Sequence, residues 1–449
     1  MTPRIDLEEL ARRESEQTEW KETVADINDV VATLSAFAND LQNLGGGYVV
    51  CGAKEEKDAH GFPKLVRVGL TASRLKELEN TVLARCRERV SPPIAPLVEE
   101  LPADSPDKRI LVFLQPATGS AHSFRAGSDG AKHFVRVSRA TLEARNGLLR
   151  DLLVRKGAMA PWDEQPCAGA TVEDVDLLAL RDALQRMGLS PPGGHVERFL
   201  SSEDALSPFL PPLCAREPLT NTLRPRNFTM ILFGAEPQRF VRSAVSVMSV
   251  YPGKDRSSKT ARRLDFAGTI LHQFRELWRE LQVRAATVFD KANLQKPNLE
   301  VYPPAALLEA LVNAVVHRDY SAGDPTRVTV FSDRIEILSP GPLPTGVSLT
   351  QLRRGVAAPK WRNRSLAWFF RKLDLAQAEG QGVTTIRTAM KAAGCPPPRF
   401  MASEADVMCT LRANARAVEL NGGTGKTASG QRLTRNVSSG RTARGKGRK

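Results

Sequence analysis

Apolar residues recur along the chain with two periods, one typical of helices and one typical of strands. Residues 29–41 place apolar side chains three and four positions apart before a run of three glycines, which predicts a helix that ends there. Short, β-rich apolar runs at residues 48–51, 109–114 and 132–137 predict strands. With a further helix predicted over residues 72–90, this part of the chain is expected to form a mixed α/β unit.

The rest of the chain continues this alternation of helices and strands. Residues 266–284 form a long amphipathic pattern, and residues 304–317 form another that begins at a pair of prolines, where proline suits a helix start. Further strands are predicted at residues 230–233, 244–251, 327–331, 334–338 and 407–411, and further helices at residues 174–187, 366–372 and 384–392.

The overall prediction is an α/β (α+β) chain with three folded parts and a tail. The parts are residues 1–158, a middle mixed or winged-helix-like part at residues 171–298, and residues 299–412. Residues 158–170 carry two prolines and little periodicity, so they are expected to be a linker. Residues 413–449 are rich in Gly, Ser, Thr and Arg and contain few large apolar residues. Because burial of so few apolar residues cannot offset the loss of chain entropy on folding, a disordered basic tail is predicted.

Charge is concentrated near the end of the chain. The formal net charge is +14, and from Arg412 onward ten basic residues face a single acid, Glu419. Because Lys and Arg gain affinity by releasing counterions from phosphates, a polyanionic partner is expected. No apolar run resembles a signal peptide or approaches the ~20 residues that cross a bilayer, so we expect a cytoplasmic protein with no membrane partner.

Two sequence features are expected to carry no chemistry. The six cysteines form no CxxC pair, so buried free thiols are expected rather than a zinc site or disulfides. The segment at residues 421–427 resembles a P-loop, but Leu420 stands where the first glycine is required and no strand precedes it. We therefore interpret it as a chance match.

The helix at residues 304–317 has a polar stripe beside its apolar face. Glu309, Asn313 and His317 follow each other at intervals of four residues and so lie on one side of the helix. On periodicity alone such a stripe favours a solvated face, and the alternative is that it lines a ligand site.

A group of short motifs points to a ligand site. Together these motifs resemble the C-terminal region of RecG-like helicases, which is related to the GHKL ATP-binding fold. The motifs are Glu309, Asn313, the run from His317 to Ser321, the run from Asp333 to Ile337, Ser339-Pro-Gly341 and Gly380-Gln-Gly382. The resemblance implies that Asn313 holds Mg²⁺ and that Glu309 orients or deprotonates the attacking water.

The same resemblance implies further nucleotide contacts. Gly380 and Gly382 would let a loop approach the phosphates of ATP closely. Four more residues would belong to the ATP site, namely His317, Asp319, Asp333 and Gly341. Where GHKL proteins usually have an aspartate that reads the adenine amino group, this chain has Ser339, so ATP binding is a stronger expectation than ATP hydrolysis.

A second set of motifs lies near the start of the chain. The segments at residues 14–22, 35–39, 45–52 and 134–138 occur in the order found in the Schlafen AlbA-like domain, which residues 10–150 resemble. That family implies nucleic-acid binding, and its Schlafen members cleave RNA with the help of a metal ion.

The implied nuclease site is a cluster of acids. Glu14 and Glu19 are five residues apart and would hold Mg²⁺ or Mn²⁺, cations that prefer several oxygen ligands. The third carboxylate would come from Glu55, Glu56 or Asp58. Lys21, on the same side of the strand as Glu19, could neutralise a phosphate. Glu14 could instead favour a helix dipole, so nucleic-acid binding without cleavage stays open.

A local basic cluster could follow a nucleic-acid backbone. It consists of Arg125, Lys132, Arg136 and Arg139. A solvated basic face explains the same residues equally well.

Together these resemblances imply an ATP-responsive nucleic-acid effector or regulator. Its first part would bind or cut RNA or DNA, as in bacterial phage defence, and nucleotide would bias the assembly of a homo-oligomer. The alternatives are a DNA-binding transcription regulator without catalysis, and an ATPase whose first part mediates only protein contacts.

Overall fold

In the computed structural model, the first part of the chain is a mixed α/β unit, as the sequence predicts. Across the chain the described residues are Ile5, Leu7, Leu10 and residues 16–57, 63–189, 195–202, 204–217, 220–257, 261–292, 295, 298–344, 347–357, 360–376 and 382–424. The first part contains, in chain order, β1 (Thr18–Lys21), α1 (Ile27–Asn39), β2 (Gly46–Cys51), β3 (Lys54–Lys57), β4 (Pro63–Val66), β5 (Leu70–Thr71), α2 (Ala72–Glu88), β6 (Val90–Ser91), β7 (Leu97–Pro102), β8 (Lys108–Pro116), β9 (Ser123–Phe124), β10 (Lys132–Val137), β11 (Ala140–Glu143) and α3 (Asn146–Arg155).

Helix α1 is the centre of this unit. It begins where the Asp26 side chain accepts a hydrogen bond from the backbone of Asn28. One side packs on the sheet in which β2 lies between β1 and β8, and the other packs on β10. Asn39 fixes the end of the helix, because its Nδ2 donates to the carbonyls of His122 and Phe134 at 2.9 and 2.7 Å.

The predicted linker is bonded to the rest of the chain. Within it, Trp162–Glu164 forms a 3-10 turn, and Trp162 stacks on Tyr320 with ring centroids 5.6 Å apart. Asp163 is 0% exposed and accepts a hydrogen bond from the backbone of Ser365 at 3.0 Å. This segment therefore anchors the first part of the chain to the last.

The remaining elements form one large unit. They are α4 (Leu177–Arg186), α5 (Arg198–Ser201), β12 (Cys214–Arg216), β13 (Leu223–Pro225), α6 (Asn227–Phe233), β14 (Ser246–Val250), β15 (Arg262–Phe266), α7 (Ile270–Gln282), β16 (Thr287–Phe289), β17 (Asn298–Glu300), α8 (Pro304–Val316), β18 (Thr326–Val330), β19 (Arg334–Pro340), α9 (Leu349–Arg354), α10 (Arg364–Lys372), α11 (Gly382–Ala392), β20 (Arg399–Ala402), β21 (Asp406–Arg412) and α12 (Ala415–Thr424).

A six-stranded sheet spans the boundary predicted between residues 298 and 299. Its order is β15-β14-β18-β19-β21-β20, and β14 runs parallel to β18 with Met248 opposite Val328. Because β14 and β15 precede that boundary and the other strands follow it, the middle and last parts share one hydrophobic core.

Two elements differ from the sequence predictions. The strand expected at residues 230–233 is wrong, since Asn227–Phe233 is a helix. All of its residues are buried, so its apolar run has no amphipathic period that could distinguish helix from strand. Helix α12 extends folded structure into the predicted tail, because Ala417 is buried and Arg416 pairs with Asp290 at 3.2 Å.

Two other features concern the described part of the chain as a whole. All six cysteines are buried free thiols, as predicted. Over the described residues, every helix is too short or too polar to pass through a bilayer.

Candidate functional site

The polar stripe of α8 faces the protein interior. The helix packs against α7, α11 and β19, and its apolar residues contribute to the core. Glu309 is only 8% exposed, and Asn313, one turn later, is half-buried. The Asn313 Nδ2 atom donates to Glu309 Oε1 at 3.2 Å. These two side chains therefore do not form a solvated face.

The first residue of α11 lies against this pair. A Cβ atom built on Gly382 would overlap the Glu309 carboxylate and come within 3.1 Å of Asn313 Nδ2. Only glycine leaves room for this close approach. The first backbone N–H groups of a helix have no partner within the helix, so α11 begins beside Glu309 and Asn313 with donors suited to an anion.

Burial controls the ionisation of Glu309. Desolvation raises the pKa of its carboxyl, and the hydrogen bond from Asn313 opposes that rise. A carboxyl whose pKa is raised can hold or accept a proton closer to neutral pH than an exposed glutamate can.

These residues form one end of a cavity between α8, α11 and the sheet. The cavity also has an apolar surface, which includes Ile337, Val383, Ile386, Phe400, Val407 and Cys409. It is thus polar where α8 meets α11 and apolar along the sheet, an arrangement suited to a ligand with a charged part and a flat apolar part.

An aromatic pair forms another wall. His317 and Trp361 stack with ring centroids 5.1 Å apart and planes 12° apart. Burial, with a smaller contribution from the positive charge of Arg362, lowers the pKa of His317 to about 4, so the ring is neutral at physiological pH. Its Nδ1 atom is buried and has no hydrogen-bond partner among the described residues.

Lys360 brings a cation to the cavity lining. Burial lowers the pKa of its ammonium group, and the positive charge of Arg155 on α3 lowers it further. A partly desolvated ammonium group interacts more strongly with a phosphate than one in bulk water does.

The other residues predicted for this site lie in different places. Gly341 lines the cavity in a left-handed conformation, with φ of 102°. Asp319 lies outside the lining and forms an ion pair with Arg150 at 2.6 Å. Asp333 lies in the turn before β19, at the opposite end of that strand from Gly341. Gly380 lies outside the described residues.

The residues of the cavity suit a magnesium-bound nucleotide. Glu309 and Asn313 provide oxygen ligands of the kind that Mg²⁺ prefers, since Mg²⁺ in proteins binds a few side chains together with phosphates and water. Gly382 lets the start of α11 lie directly against Glu309 and Asn313, and Lys360 provides a cation. The unpartnered Nδ1 of His317 adds a buried polar atom that a ligand could satisfy.

In the first part of the chain, Glu19 is held by two cations. Its Oε2 lies 2.9 Å from Arg136 Nη1, and its Oε1 lies 3.1 Å from Lys21 Nζ. Lys21 is therefore on the same side of β1 as Glu19. Arg136 is 4% exposed and stands over the Phe37 ring, so it is withdrawn from the surface that a nucleic acid would meet.

The predicted carboxylate cluster is only partly described. Glu14, Asp58 and the side chain of Glu55 lie outside the described residues. Glu56 pairs with Lys54 at 2.8 Å. Within the described ranges, no three His, Cys, Asp or Glu side chains are grouped so that they could hold a metal ion.

The predicted basic cluster separates in the structure. Lys132 lies 3.8 Å from Glu143, which partly neutralises it, whereas Arg125 and Arg139 are exposed. Arg125 shares a surface cleft with Arg89, which stands at the end of α2. Because Arg89 is distant in the sequence, no local motif indicated that these two arginines meet.

Sequence reasoning also missed Lys360, Trp361 and the Arg150–Asp319 ion pair. Residues 360–364 contain basic and amide side chains around one tryptophan, which is a weak signal by itself. Only the fold brings this segment to the end of α8.

Comparisons with known proteins match two separate parts of the chain. A family model described as "Putative ATP-dependent DNA helicase recG C-terminal" matches residues 323–411, and one described as "Schlafen, AlbA_2" matches residues 14–145. The first match begins after α8 and includes Gly382, so Glu309 and Asn313 precede it. No curated protein matches the chain.

Two solved structures are similar to this chain. The crystal structure of the DIP2311 protein from Corynebacterium diphtheriae is 18% identical, and the match covers 90% of this chain and 77% of that chain with a TM-score of 0.41. The solution structure of the N-terminal domain of a RecG-related protein from Nitrosomonas europaea is 25% identical, and the match covers 25% of this chain and 71% of that chain with a TM-score of 0.21. The chain therefore contains one segment that matches the Schlafen AlbA_2 model and a later segment that matches the recG C-terminal model.

Proposed function

We propose that this protein binds ATP with Mg²⁺ in the cavity between α8 and α11, and that the nucleotide controls nucleic-acid binding by the first part of the chain. The observation that carries the proposal is the contact between Gly382 and the Glu309–Asn313 pair. It joins two oxygen-bearing side chains and the start of a helix at one point.

Each wall of the cavity has a role in this proposal. Asn313 and Glu309 hold the metal ion, which neutralises phosphate charge when bound. Lys360 pairs with a phosphate oxygen, and the first amides of α11 donate to others. The apolar surface and the neutral stack of His317 and Trp361 would accommodate the base.

Isothermal titration with Mg·ATP tests this site. We expect binding to the wild type and at least about tenfold weaker binding to Asn313→Ala, a loss of about 1.4 kcal/mol. Asn298→Ala, at an exposed amide on β17, is the matched control and should bind as the wild type does. Absence of binding to the wild type, or equal affinities for Asn313→Ala and the wild type, would reject the proposed site.

For nucleic acid, the cleft with Arg89 and Arg125 is a better site than the face that contains Arg136. Both cleft arginines are exposed, and pairing with two phosphates there would release counterions. We expect the slope of log affinity against log salt to fall by about 1.4 to 1.8 in the Arg89→Ala/Arg125→Ala variant. The control is Arg186→Ala/Arg263→Ala, which removes two exposed arginines elsewhere.

Metal-dependent cleavage is the more specific form of the proposal. Glu19 and Lys21, side by side on β1, support it. Purified protein with Mn²⁺ and tRNA, single-stranded RNA or DNA should yield products that are lost in Glu19→Gln and kept in Glu22→Gln. If the substrates stay intact with every metal, cleavage is rejected and the remaining proposal is a regulator that binds nucleic acid without cutting it. An increase in the molecular mass of the protein in solution on addition of ATP would support a homo-oligomer that nucleotide favours.

A further inference from the structure

Helix α3 bridges the two ends of the molecule that the proposed function assigns to different ligands. On one side it reaches the segment that follows α8. The Arg150 guanidinium contacts both oxygens of Asp319, with Nη2–Oδ2 at 2.6 Å and Nη1–Oδ1 at 3.3 Å, and it also donates to the Ser321 hydroxyl. Paired donors on one carboxylate fix orientation as well as distance.

Asp319 lies outside the cavity lining but is held against Gly341, which is part of it. Its backbone N–H donates to Pro340 O at 2.8 Å, and a Cβ atom on Gly341 would lie 2.6 Å from Asp319 Cβ. Burial alone would raise the pKa of Asp319, but Arg150 and Ser321 bring it down to about 2. Asp319 therefore stays charged at physiological pH, and the ion pair persists.

Arg362 joins the same carboxylate to two further parts of the wall. Its Nη1 lies 3.7 Å from Asp319 Oδ2. Its Nε donates to His317 O at 3.1 Å, and its Nη2 donates to Pro342 O at 2.8 Å. His317 and Pro342 both line the cavity, so Arg362 connects two lining residues to the carboxylate that Arg150 holds.

At its other end, α3 holds the first part of the chain. Arg155 donates to Asn43 Oδ1 at 2.8 Å. The neighbouring Lys156 donates to Ala38 O at 3.3 Å and to Thr118 O at 2.5 Å. These contacts surround the end of α1.

Helix α1 extends the path to Glu19, the residue proposed for cleavage. Its Phe37 ring lies beneath the Arg136 guanidinium, with the centroid 5.3 Å from the guanidinium carbon. Arg136 in turn holds the Glu19 carboxylate. A shift of α1 would therefore move Arg136 and, with it, the Glu19 carboxylate of the proposed cleavage site.

We infer that α3 couples nucleotide in the cavity to nucleic acid on the first part of the chain, through the Arg150–Asp319 ion pair at one end and Lys156 at the other. The inference rests on the proposed function and names how its site is regulated. The positive charge of Arg155 lowers the pKa of Lys360, which lines the cavity. A phosphate bound at Lys360 would therefore also attract Arg155 at this end of α3.

Coupling of this kind is reciprocal. If nucleotide changes nucleic-acid affinity by some factor, nucleic acid changes nucleotide affinity by the same factor. A ligand can shift the chain only when it prefers one arrangement of the wall to another. Removal of the Arg150 contacts should therefore abolish the effect of each ligand on the affinity of the other, while each ligand still binds by itself.

The test measures the affinity of a short single-stranded RNA with and without saturating Mg·ATP, on full-length chains. The wild type should show a ratio of at least about fivefold. Arg150→Ala and Asp319→Asn should bring the ratio close to one. Arg186→Ala, which breaks a surface ion pair with Asp182, should keep the wild-type ratio. An unchanged ratio in Arg150→Ala overturns the inference, as does a wild-type ratio of one when both ligands bind.

Amide hydrogen exchange without any ligand separates this inference from the proposed function. Arg150→Ala should speed exchange at Asp319 N and at Thr118 N. These amides are bonded to Pro340 O and Ala38 O, at opposite ends of the path. Unchanged exchange at both amides overturns the inference whatever the ligands do. If the wild type binds no ATP but Arg150→Ala speeds exchange at both amides, the ATP site is rejected and the path of contacts through α3 is retained.

Discussion

The backbone of Gly382 lies so close to the Glu309 carboxylate that no side chain fits between them. Their contact joins the start of α11 to the middle of α8, and so it sets the width of the polar end of the cavity. A change at either residue should therefore act on nucleotide binding before it acts on the rest of the fold.

The first prediction concerns Gly382→Ala. The new methyl group would displace the Glu309 carboxylate or the start of α11, so we expect Mg·ATP affinity to fall at least about tenfold. Isothermal titration measures the change. Gly253→Ala is the control, because a Cβ atom there meets nothing within 4 Å. Wild-type affinity in Gly382→Ala would show that the nucleotide does not use this contact.

The second prediction concerns the pH dependence of stability at Asp163. Burial, and to a smaller extent the charge of Glu164, raises the pKa of this carboxyl from 3.8 to about 7. Between those values the folded chain binds a proton that the unfolded chain releases, so stability falls as pH rises and levels off above the folded pKa. The contribution is about 1.4 kcal/mol per pH unit inside that window.

Urea unfolding of wild type and Asp163→Asn across pH measures this contribution. The stability of the wild type relative to the variant should fall as pH rises toward about 7 and then stay constant. Glu173→Gln, at an exposed carboxyl nearby, controls for general charge effects. A difference that does not change with pH would mean that Asp163 is ionised throughout.

The third prediction separates stability from binding at Arg136. Its guanidinium is buried and pairs with Glu19, whose carboxylate is partly exposed. We expect Arg136→Gln to lower the free energy of unfolding by about 2 kcal/mol, below the full cost of a buried pair because water reaches Glu19. Arg139→Gln, at an exposed site, should change it by less than about 0.5 kcal/mol. A wild-type unfolding midpoint in Arg136→Gln would contradict the structural role.

The fourth prediction concerns the basic end of the chain. Residues 425–449 contain eight Lys and Arg and no acids, so ending the chain at residue 424 lowers the formal net charge from +14 to +6. We expect the shortened chain to retain ATP binding and to bind nucleic acid more weakly, with a shallower salt dependence. Binding titrations at several salt concentrations measure both. Complete loss of nucleic-acid binding would place the site in the removed segment rather than in the Arg89–Arg125 cleft.

Several features could be predicted from local sequence because their causes are local. The period of residues 29–41, the β-rich run at 132–137 and the proline start of α8 each specify an element whose bounds the structure nearly reproduces. The four-residue spacing of Glu309 and Asn313 likewise places both on one side of α8 wherever that helix packs.

Tertiary structure decided whatever depends on contacts between distant segments. Residues 230–233 could not be recognised as helical, because neighbours bury them on every side and the period that distinguishes helix from strand is absent. Arg136 appeared to belong to a surface cluster until the fold placed Phe37 and Glu19 around it.

The amino-acid sequence by itself determined that Glu309 and Asn313 share a helix face, because helical spacing is a property of consecutive residues. It did not determine that Gly382 closes on them, that Lys360 joins them, or that Arg150 reaches Asp319. Those contacts arise because the six-stranded sheet and the anchored segment around Asp163 bring distant parts of the chain together, and burial then sets their charges and pKa values.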